Sequence, residues 1–386
     1  MGVGGELEAL IIGSGYAAQG HTVALRQAGV NVVAIASRNL EVCEKAATTL
    51  SIPRFGTDWR AMLTEVKPDI VAVATPAGVH TDVVNAAIQQ GCHIYCEKPL
   101  ALNAGDALAM YRSAKARGVK TAYAATCRYQ PQILYARELI ASGAIGEVHD
   151  LEFISHIGQP SLMPFGWIHR LESGGGRLYN QFPHLLGAAE TLLNGEIDGV
   201  MGMCRSDLRK APIAGDVHHL HDFAKLAVDP EIARHGQWAA VTSDFSYTAL
   251  ARVKRDNEAL GGEVTALFKH GVIQVGKNTD YVAIYGEKGT IHIEHVYAEG
   301  AMFMHDRTTW RELEVPSRIV DTVPGPGLWP QRLWSRLALD FANDIRGAGR
   351  ADYLTFKEGW IYQKIIDHIR HGTGWTEIFR DDSLVG

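Results

Sequence analysis

The order of apolar runs in the first 125 residues constrains the fold most. Leu7–Ile12 (LEALII), Asn31–Ala36 (NVVAIA), Asp69–Ala74 (DIVAVA), Cys92–Cys96 (CHIYC) and Thr121–Ala125 are short and almost continuously apolar. Helical patterns at Gln19–Ala28, Leu40–Leu50, Trp59–Val66, His80–Gln90 and Ala104–Arg117 lie between them. Strands separated by helices of this length are joined by crossovers, and crossovers make parallel sheets. Both faces of such a sheet are covered, which explains why its strands are apolar rather than alternating.

After Cys127 the period changes. Val148–His156 (VHDLEFISH) alternates like a strand buried on one face, and further alternating runs lie near 240–249, 263–268, 272–275, 282–285, 290–294 and 301–305. Gly286-Glu287-Lys288-Gly289 reads as a hairpin turn, and helices are expected at about 330–346 and 356–369. A chain of 386 residues has room for two domains. The expected architecture is α/β. An N-terminal doubly wound domain covers 1–127. A C-terminal α/β domain with a large open-faced, mostly antiparallel sheet covers 128–386, and its helices at about 330–370 return towards the first domain. The polar, His-rich stretch 204–237 reads as an insertion.

Charge narrows the partners. Lys and Arg number 37 against 43 Asp and Glu, a net charge of −6, which does not suit a nucleic-acid binder. The five cysteines are scattered, as in a reducing compartment. No run reaches the roughly 18 apolar residues of a membrane span, and the first residues do not read as a secretory leader. The expectation is a cytoplasmic protein with no nucleic-acid or membrane partner.

Four segments carry chemistry. Gly13-Ser14-Gly15-Tyr16-Ala17-Ala18 follows a strand and opens a helix. Gly13 permits a tight turn, Gly15 lets the backbone approach a pyrophosphate, and the free N–H groups of the helix start, from Tyr16 and Ala17 onward, receive it. The second strand ends at Ser37-Arg38 with no acidic residue to bond a ribose 2′-hydroxyl, so NADP is expected over NAD. Thr75-Pro76-Ala77-Gly78-Val79-His80 lies at the carboxyl end of another strand, where open parallel sheets bind ligands. His80 reads equally as a cofactor contact or as a hydrogen-bonding group at a helix start. Glu97-Lys98-Pro99 places two opposite charges at the end of a buried strand.

Taken together, these motifs resemble the glucose–fructose oxidoreductase/inositol dehydrogenase/rhizopine-catabolism (Gfo/Idh/MocA) family, with its G-x-G-x-x-G/A, T-P-x-x-x-H and E-K-P in this order. Arg128-Tyr129-Gln130-Pro131 is similar to the family's R-Y/F-x-P. The segment from Trp167 to His184 is similar to its W…G-G-G-x-L-x-D-x-G-x-H. Two positions depart: Asn180 stands where the family has Asp, and Phe182 where it has Gly.

The resemblance implies an NAD(P)-dependent oxidoreductase acting at a carbinol or carbonyl carbon of a sugar, polyol or acidic sugar derivative, held in a cleft between the domains. It implies Lys98, Asn180 and His184 as the catalytic set. Gly13, Gly15, Tyr16, Ala17, Ser37, Arg38, Thr75, Pro76, His80, Glu97 and Lys98 would hold the cofactor. Arg128, Tyr129, Trp167, Asn180 and His184 would meet the substrate. His184 would take the hydroxyl proton, since imidazole titrates near neutral pH, and Lys98 would polarise the substrate oxygen and carry or relay the proton. Asn180, with Arg128, Arg170 and Arg177 nearby in sequence, points to an acidic substrate. A homodimer or homotetramer through the open sheet is implied as well. A glycoside hydrolase that oxidises its substrate transiently, or a cofactor-sensing regulator without activity, would carry many of the same residues. His218, His219, His221 and Asp222 sit too close together in the chain to converge on a metal, and no metal site is expected.

Overall fold

A computed structural model describes residues 6–158, 163–214, 230–255, 262–272, 278–295, 297–298, 300–322, 330–349 and 352–384. The chain divides into two compact units, one of residues 1–125 with 323–363 and one of 126–322 with 364–386.

The first unit is built on a six-stranded, all-parallel sheet. Its strands are β1 (Leu7–Ile12), β2 (Val30–Ala36), β3 (Arg54–Gly56), β4 (Ile70–Val73), β5 (His93–Cys96) and β6 (Thr121–Tyr123), in the order β3-β2-β1-β4-β5-β6. Helices α1 (Tyr16–Gln27), α2 (Leu40–Thr49), α3 (Trp59–Val66), α4 (His80–Gln89) and α5 (Ala104–Arg117) make the crossovers. All four residues of β4 are fully buried, as expected for a strand covered on both faces. The strand order reverses between β1 and β4, which creates the crevice where doubly wound sheets bind ligands. β3 is a three-residue edge strand with two of its residues exposed, too short and polar to register as an apolar run.

The second unit carries a nine-stranded mixed sheet. Its strands are β7 (Val148–His156), β8 (Gly195–Arg205), β11 (Ser246–Arg255), β12 (Glu263–Gly271), β13 (Thr279–Gly286), β14 (Thr290–Glu294), β15 (Met302–His305), β16 (Trp310–Leu313) and β17 (Thr376–Glu377). They run in the order β16-β15-β14-β13-β7-β12-β11-β8-β17. Only β7 and β12 pair in parallel. A separate short ribbon pairs β9 (Lys210–Pro212) with β10 (Trp238–Ala240). Burial alternates along β11 and β12, so one face is open. The other face packs Phe153, Tyr247 and Phe268 against α8 (Phe182–Leu193). Ahead of α8 lie α6 (Pro131–Ala141) and the four-residue α7 (Arg177–Asn180). Later in the chain come the short α9 (Pro230–His235) and α10 (Ser317–Val320), then α11 (Gln331–Ile345) and α12 (Phe356–His371).

The run expected at 272–275 lies, past Val272, outside the described residues; the sequence reading placed β11 about six residues early and missed β8. The last is the instructive miss: Gly195-Glu196-Ile197-Asp198-Gly199-Val200-Met201-Gly202 holds three glycines, which depress strand propensity.

Among the described residues no helix is long and apolar enough to cross a membrane. His218, His219, His221 and Asp222 lie outside the described residues.

Candidate functional site

In the first unit the crevice is lined by main chain. Gly13 has φ +119°, and its N–H donates to the Ala36 carbonyl at 2.8 Å. A Cβ there would collide with the Ala74 carbonyl oxygen, so only glycine fits. Gly15 is the N-cap of α1, with no side chain to cap it and no acidic residue in the first turn. Tyr16 and Ala17 are half-buried at that start. The N–H groups are thus left for an anion, and the positive end of the helix dipole faces it. The donor set suits the pyrophosphate of a dinucleotide.

At the end of β2, the Ser37 hydroxyl donates to the Asn39 carbonyl at 3.3 Å, and Arg38 is exposed. Asn39 caps α2 by accepting the Val42 N–H. After β4 the Thr75 hydroxyl is buried without a partner, and Pro76 opens a short turn, Ala77–Val79.

His80 is fully buried. Its Nε2 faces the Thr75 carbonyl at 2.8 Å, and its Nδ1 faces the carbonyls of Pro99 and Leu100 at 3.1 and 3.2 Å. No atom is left to touch a cofactor. The cofactor role expected of His80 is therefore corrected: it ties the turn after β4 to the turn after β5.

Those turns present Glu97 and Lys98. The Glu97 carboxylate is nearly buried; Oε1 meets His21 Nε2 at 2.9 Å, and Oε2 accepts the Lys98 N–H at 3.2 Å and lies 3.6 Å from Lys98 Nζ. Glu97 therefore positions Lys98, with His21 behind it. Burial and the charge of Glu97 raise the pKa of the Tyr16 phenol.

His21 was not anticipated. It is boxed by Tyr95, 4.6 Å between ring centroids, and by Trp334 of α11 at 5.5 Å. A Cβ on Gly20 would strike that Trp334 ring, so the glycine admits the indole. The signal was present in the sequence: Ala18, His21, Thr22 and Leu25 share the buried face of α1. A histidine on such a stripe needs a polar partner inside.

In the second unit the Trp167–His184 segment folds as two short turns, then α7 and α8. Trp167 packs on Met163 and Ile168. Asn180 is buried, and its Nδ2 donates to the carbonyls of Gly174 and Gly176 at 3.2 and 2.6 Å. The amide thus holds the glycine turn, a task that a carboxylate cannot perform because it has no donor. Phe182 is fully buried, 5.1 Å from the Tyr247 ring and 5.2 Å from Phe268, so this departure from the family pattern fills the core.

His184 is half-buried, and its Nδ1 accepts the Thr126 N–H at 2.9 Å. That bond needs the Nδ1 lone pair, so the neutral ring carries its hydrogen on Nε2. Nε2–H is a donor. The proton-accepting role expected of His184 does not fit this geometry, and a hydrogen-bond-donating role does.

Arg128 and Tyr129 are both buried, the guanidinium 5.8 Å from the Tyr129 ring. Arg170 is exposed, its guanidinium over Phe165. His169 lies stacked between Phe165 and Phe245. Burial, then the Arg177 charge, push its pKa down to about 4.

Comparison with known proteins agrees with this division. Residues 7–125 match the family model described as oxidoreductase family, NAD-binding Rossmann fold, and residues 133–292 match the GFO/IDH/MocA C-terminal domain. Levoglucosan dehydrogenase of Pseudarthrobacter phenanthrenivorans is 25% identical over 308 residues, covering 77% of this chain and 74% of that protein. D-glucoside 3-dehydrogenase of Escherichia coli is 27% identical over 218 residues, 55% of this chain and 56% of the relative. The solved structure of levoglucosan dehydrogenase with NADH and levoglucosan superposes with a TM-score of 0.78 at 20% identity, covering 97% of this chain and 100% of that one. Aldose-aldose oxidoreductase of Caulobacter crescentus, complexed with glycerol, superposes at 0.69 and 20% identity, over 95% and 96%. With both family domains matched, and the Gly13 turn and uncapped α1 suited to a dinucleotide, the chain belongs to the Gfo/Idh/MocA family as an NAD(P)-dependent oxidoreductase.

Proposed function

We propose that this protein oxidises a secondary alcohol of a sugar-like substrate, or reduces the corresponding ketone, with Lys98 as the proton-transfer group and NADP preferred over NAD. The observation that carries the reading is the Glu97 carboxylate, which grips Lys98 by both its N–H and its ammonium at the carboxyl end of the parallel sheet. When bound, the nicotinamide takes or gives the hydride. As the carbinol C–H bond breaks, the O–H bond breaks too, the C–O bond becomes double, and Lys98 Nζ, once its ammonium has released a proton to solvent, takes the hydroxyl proton. In reduction the ammonium returns it.

In the second unit His184 offers Nε2–H to a substrate oxygen, with its ring orientation fixed by Thr126. Asn180 shapes the turn before it. Gly13, Gly15, Tyr16 and Ala17 receive the pyrophosphate, Thr75 and Pro76 border the crevice, and Ser37 and Arg38 take the adenosine end. Arg128, Tyr129 and Trp167 are assigned to the substrate side. Two sugar dehydrogenases among the relatives support a sugar-like substrate. The open sheet face exposes Met201, Met203, Leu250 and Tyr285, which supports self-association through it.

The test uses the full-length protein, both oxidised cofactors, and a panel of sugars deuterated at each carbinol carbon. Deuterium should appear on the reduced nicotinamide, which mass spectrometry reads directly. A glycosidase that returns its hydride would release product with no net reduced cofactor, and a sensor would bind cofactor with no label transfer; either result defeats the proposal.

A further inference from the structure

The second unit contains a charge that neither proton transfer nor cofactor binding uses. Arg177 opens α7, and its main-chain N–H donates to the Asp244 carbonyl at 3.0 Å. Its side chain is almost wholly enclosed, the residue being 8% exposed, and the Nε is sealed from solvent without an acceptor. Among the described residues its guanidinium makes no hydrogen bond and no ion pair. The carboxylate that acts on it, Asp244, is already engaged: Oδ1 takes Arg370 Nη2 at 2.5 Å, and Oδ2 takes the Leu178 N–H at 2.7 Å. A buried cation whose nearby carboxylate spends its hydrogen bonds on other groups is costly for a fold to hold.

The surroundings are equally unfinished. His270 is 2% exposed, and both ring nitrogens are buried without a partner. Its ring stacks on Tyr247 at 5.6 Å. Burial and the nearby Arg177 hold it neutral, so it has one N–H and one lone pair to offer. His270 and Tyr247 also line a small cavity, about 50 Å³, with His156, Lys269 and Arg205, and no acidic residue lines it. The segment 177–184 itself (RLYNQFPH) carries a cation and no anion, because Asn180 stands where the family has Asp.

We propose that Arg177 is the seat of a carboxylate on the substrate, which makes the substrate class a sugar acid rather than a neutral sugar. This rests on the reading of the chain as a sugar-type oxidoreductase. The guanidinium fork matches a carboxylate with two parallel hydrogen bonds. Neutral His270 suits a neighbouring hydroxyl, which can both donate and accept. The structure separates Arg177 from the other two arginines near the motif in sequence: Arg170 is exposed, and Arg128 stands over Tyr129.

The test compares a neutral aldose with its uronic acid, glucose against glucuronate and galactose against galacturonate, in wild type, Arg177→Met and Arg177→Lys. Wild type should favour the acid in kcat/KM. Arg177→Met should cut the acid-to-neutral ratio by about 30-fold, the worth of a lost charge-assisted pair, with the loss carried by KM. Arg177→Lys keeps the charge without the fork and should recover part of the ratio. Because the methionine removes an unpaired charge from the interior, its Tm should be no lower than wild type, whereas an arginine kept for structure would lower it.

A second measurement needs no turnover. The methyl glycoside of glucuronic acid is titrated calorimetrically into protein loaded with reduced cofactor, where no oxidation can occur. It should bind to wild type and lose that affinity in Arg177→Met. Wild-type preference for neutral aldoses, an unchanged ratio in Arg177→Met, or glycoside binding indifferent to Arg177 overturns the sugar-acid inference and leaves the oxidoreductase reading intact. Absence of label transfer from every sugar, neutral or acidic, defeats the oxidoreductase reading itself.

Discussion

The two units arrange their polar groups in opposite ways. In the first, they close on one another: His80 is gripped by three carbonyls, and Glu97 is shared between His21 and Lys98. What is left open there is mostly main chain, the Gly13 turn and the start of α1, although the Thr75 hydroxyl and His21 Nδ1 are also buried without a partner. In the second unit, buried side chains stand open: the Arg177 Nε, both nitrogens of His270 and the Ser155 hydroxyl have no partner. Backbone recognition fits a ligand whose phosphate chemistry is fixed, because it depends on chain path and glycine placement. Side-chain recognition fits a ligand that differs between relatives, because one substitution can change it.

The sharpest way to break this contrast is at Lys98, the one reactive side chain that the closed set presents. Lys98→Met keeps the packing of the stem and removes the ammonium. We expect kcat to fall by about 10³-fold or more, the range of a lost proton-transfer group, while cofactor affinity by fluorescence titration stays near wild type. Wild-type turnover in Lys98→Met would end the catalytic assignment.

Buried histidines give the next test, because the two units treat them differently. Burial lowers the pKa of His80, but hydrogen bonds to the Thr75, Leu100 and Pro99 carbonyls oppose the shift. For His169 burial and two arginines push the same way, among the described residues no carbonyl accepts from the ring, and the Gly166 N–H donates to Nδ1, so its pKa falls to about 4. Above about pH 6.5 His169 is neutral folded or unfolded, and nothing is lost. Below it, the unfolded chain takes up a proton that the folded chain refuses, so stability falls with pH down to about 4. That amounts to about 2 kcal/mol by pH 5, taking 1.36 kcal/mol per pH unit. His169→Phe, which can continue the stack between Phe165 and Phe245, should flatten the urea-derived stability between pH 7 and 5. His80→Phe should flatten it less. Equal slopes in the two variants would erase the distinction between the units here.

How much was legible in the sequence divides the same way. Parallel strands covered on both faces announce themselves as apolar runs, and the Gly13 turn, α3 and α5 were found at their true positions. A half-open sheet has a weaker signal. β8 carries three glycines and alternates exposed methionines with its core residues, so nothing in its composition marks a strand. The site divides likewise. Lys98 and Glu97 stood in a recognisable order, but the tautomer of His184 was not readable, because it depends on a main-chain N–H 58 residues away. His270 was invisible for the same reason: its isolation is a property of what packs around it.

Asn180 is a smaller probe of the second unit. In the structure its Nδ2 donates to two glycine carbonyls, so an aspartate would set its oxygens against theirs. We expect Asn180→Asp to lose about 2 kcal/mol of stability in urea titration through two broken hydrogen bonds and the repulsion, and to lower kcat with every substrate. A stable, faster variant would show that the turn tolerates the carboxylate and that the family's acid can be reinstated.

The smallest effect belongs to the adenosine end of the first unit, and it tests whether backbone recognition there is complete. The Gly13 turn and the α1 N-terminus treat NAD and NADP alike, since both carry the same pyrophosphate. Discrimination falls to the residues just after β2, where Ser37 donates to Asn39 and Arg38 projects into solvent. With no carboxylate at that strand end, a 2′-phosphate meets a hydroxyl and a guanidinium rather than a repelling charge. Ser37→Asp with Arg38→Ile reverses each of these contacts: the new carboxylate accepts from the ribose hydroxyls and repels the phosphate. The double variant should shift the NADP-to-NAD ratio of kcat/KM by at least about tenfold, roughly 1.4 kcal/mol, with the change in KM. Wild type should favour NADP. A wild-type ratio favouring NAD by tenfold would mean that the missing carboxylate does not govern the choice, and that contacts elsewhere in the crevice decide it.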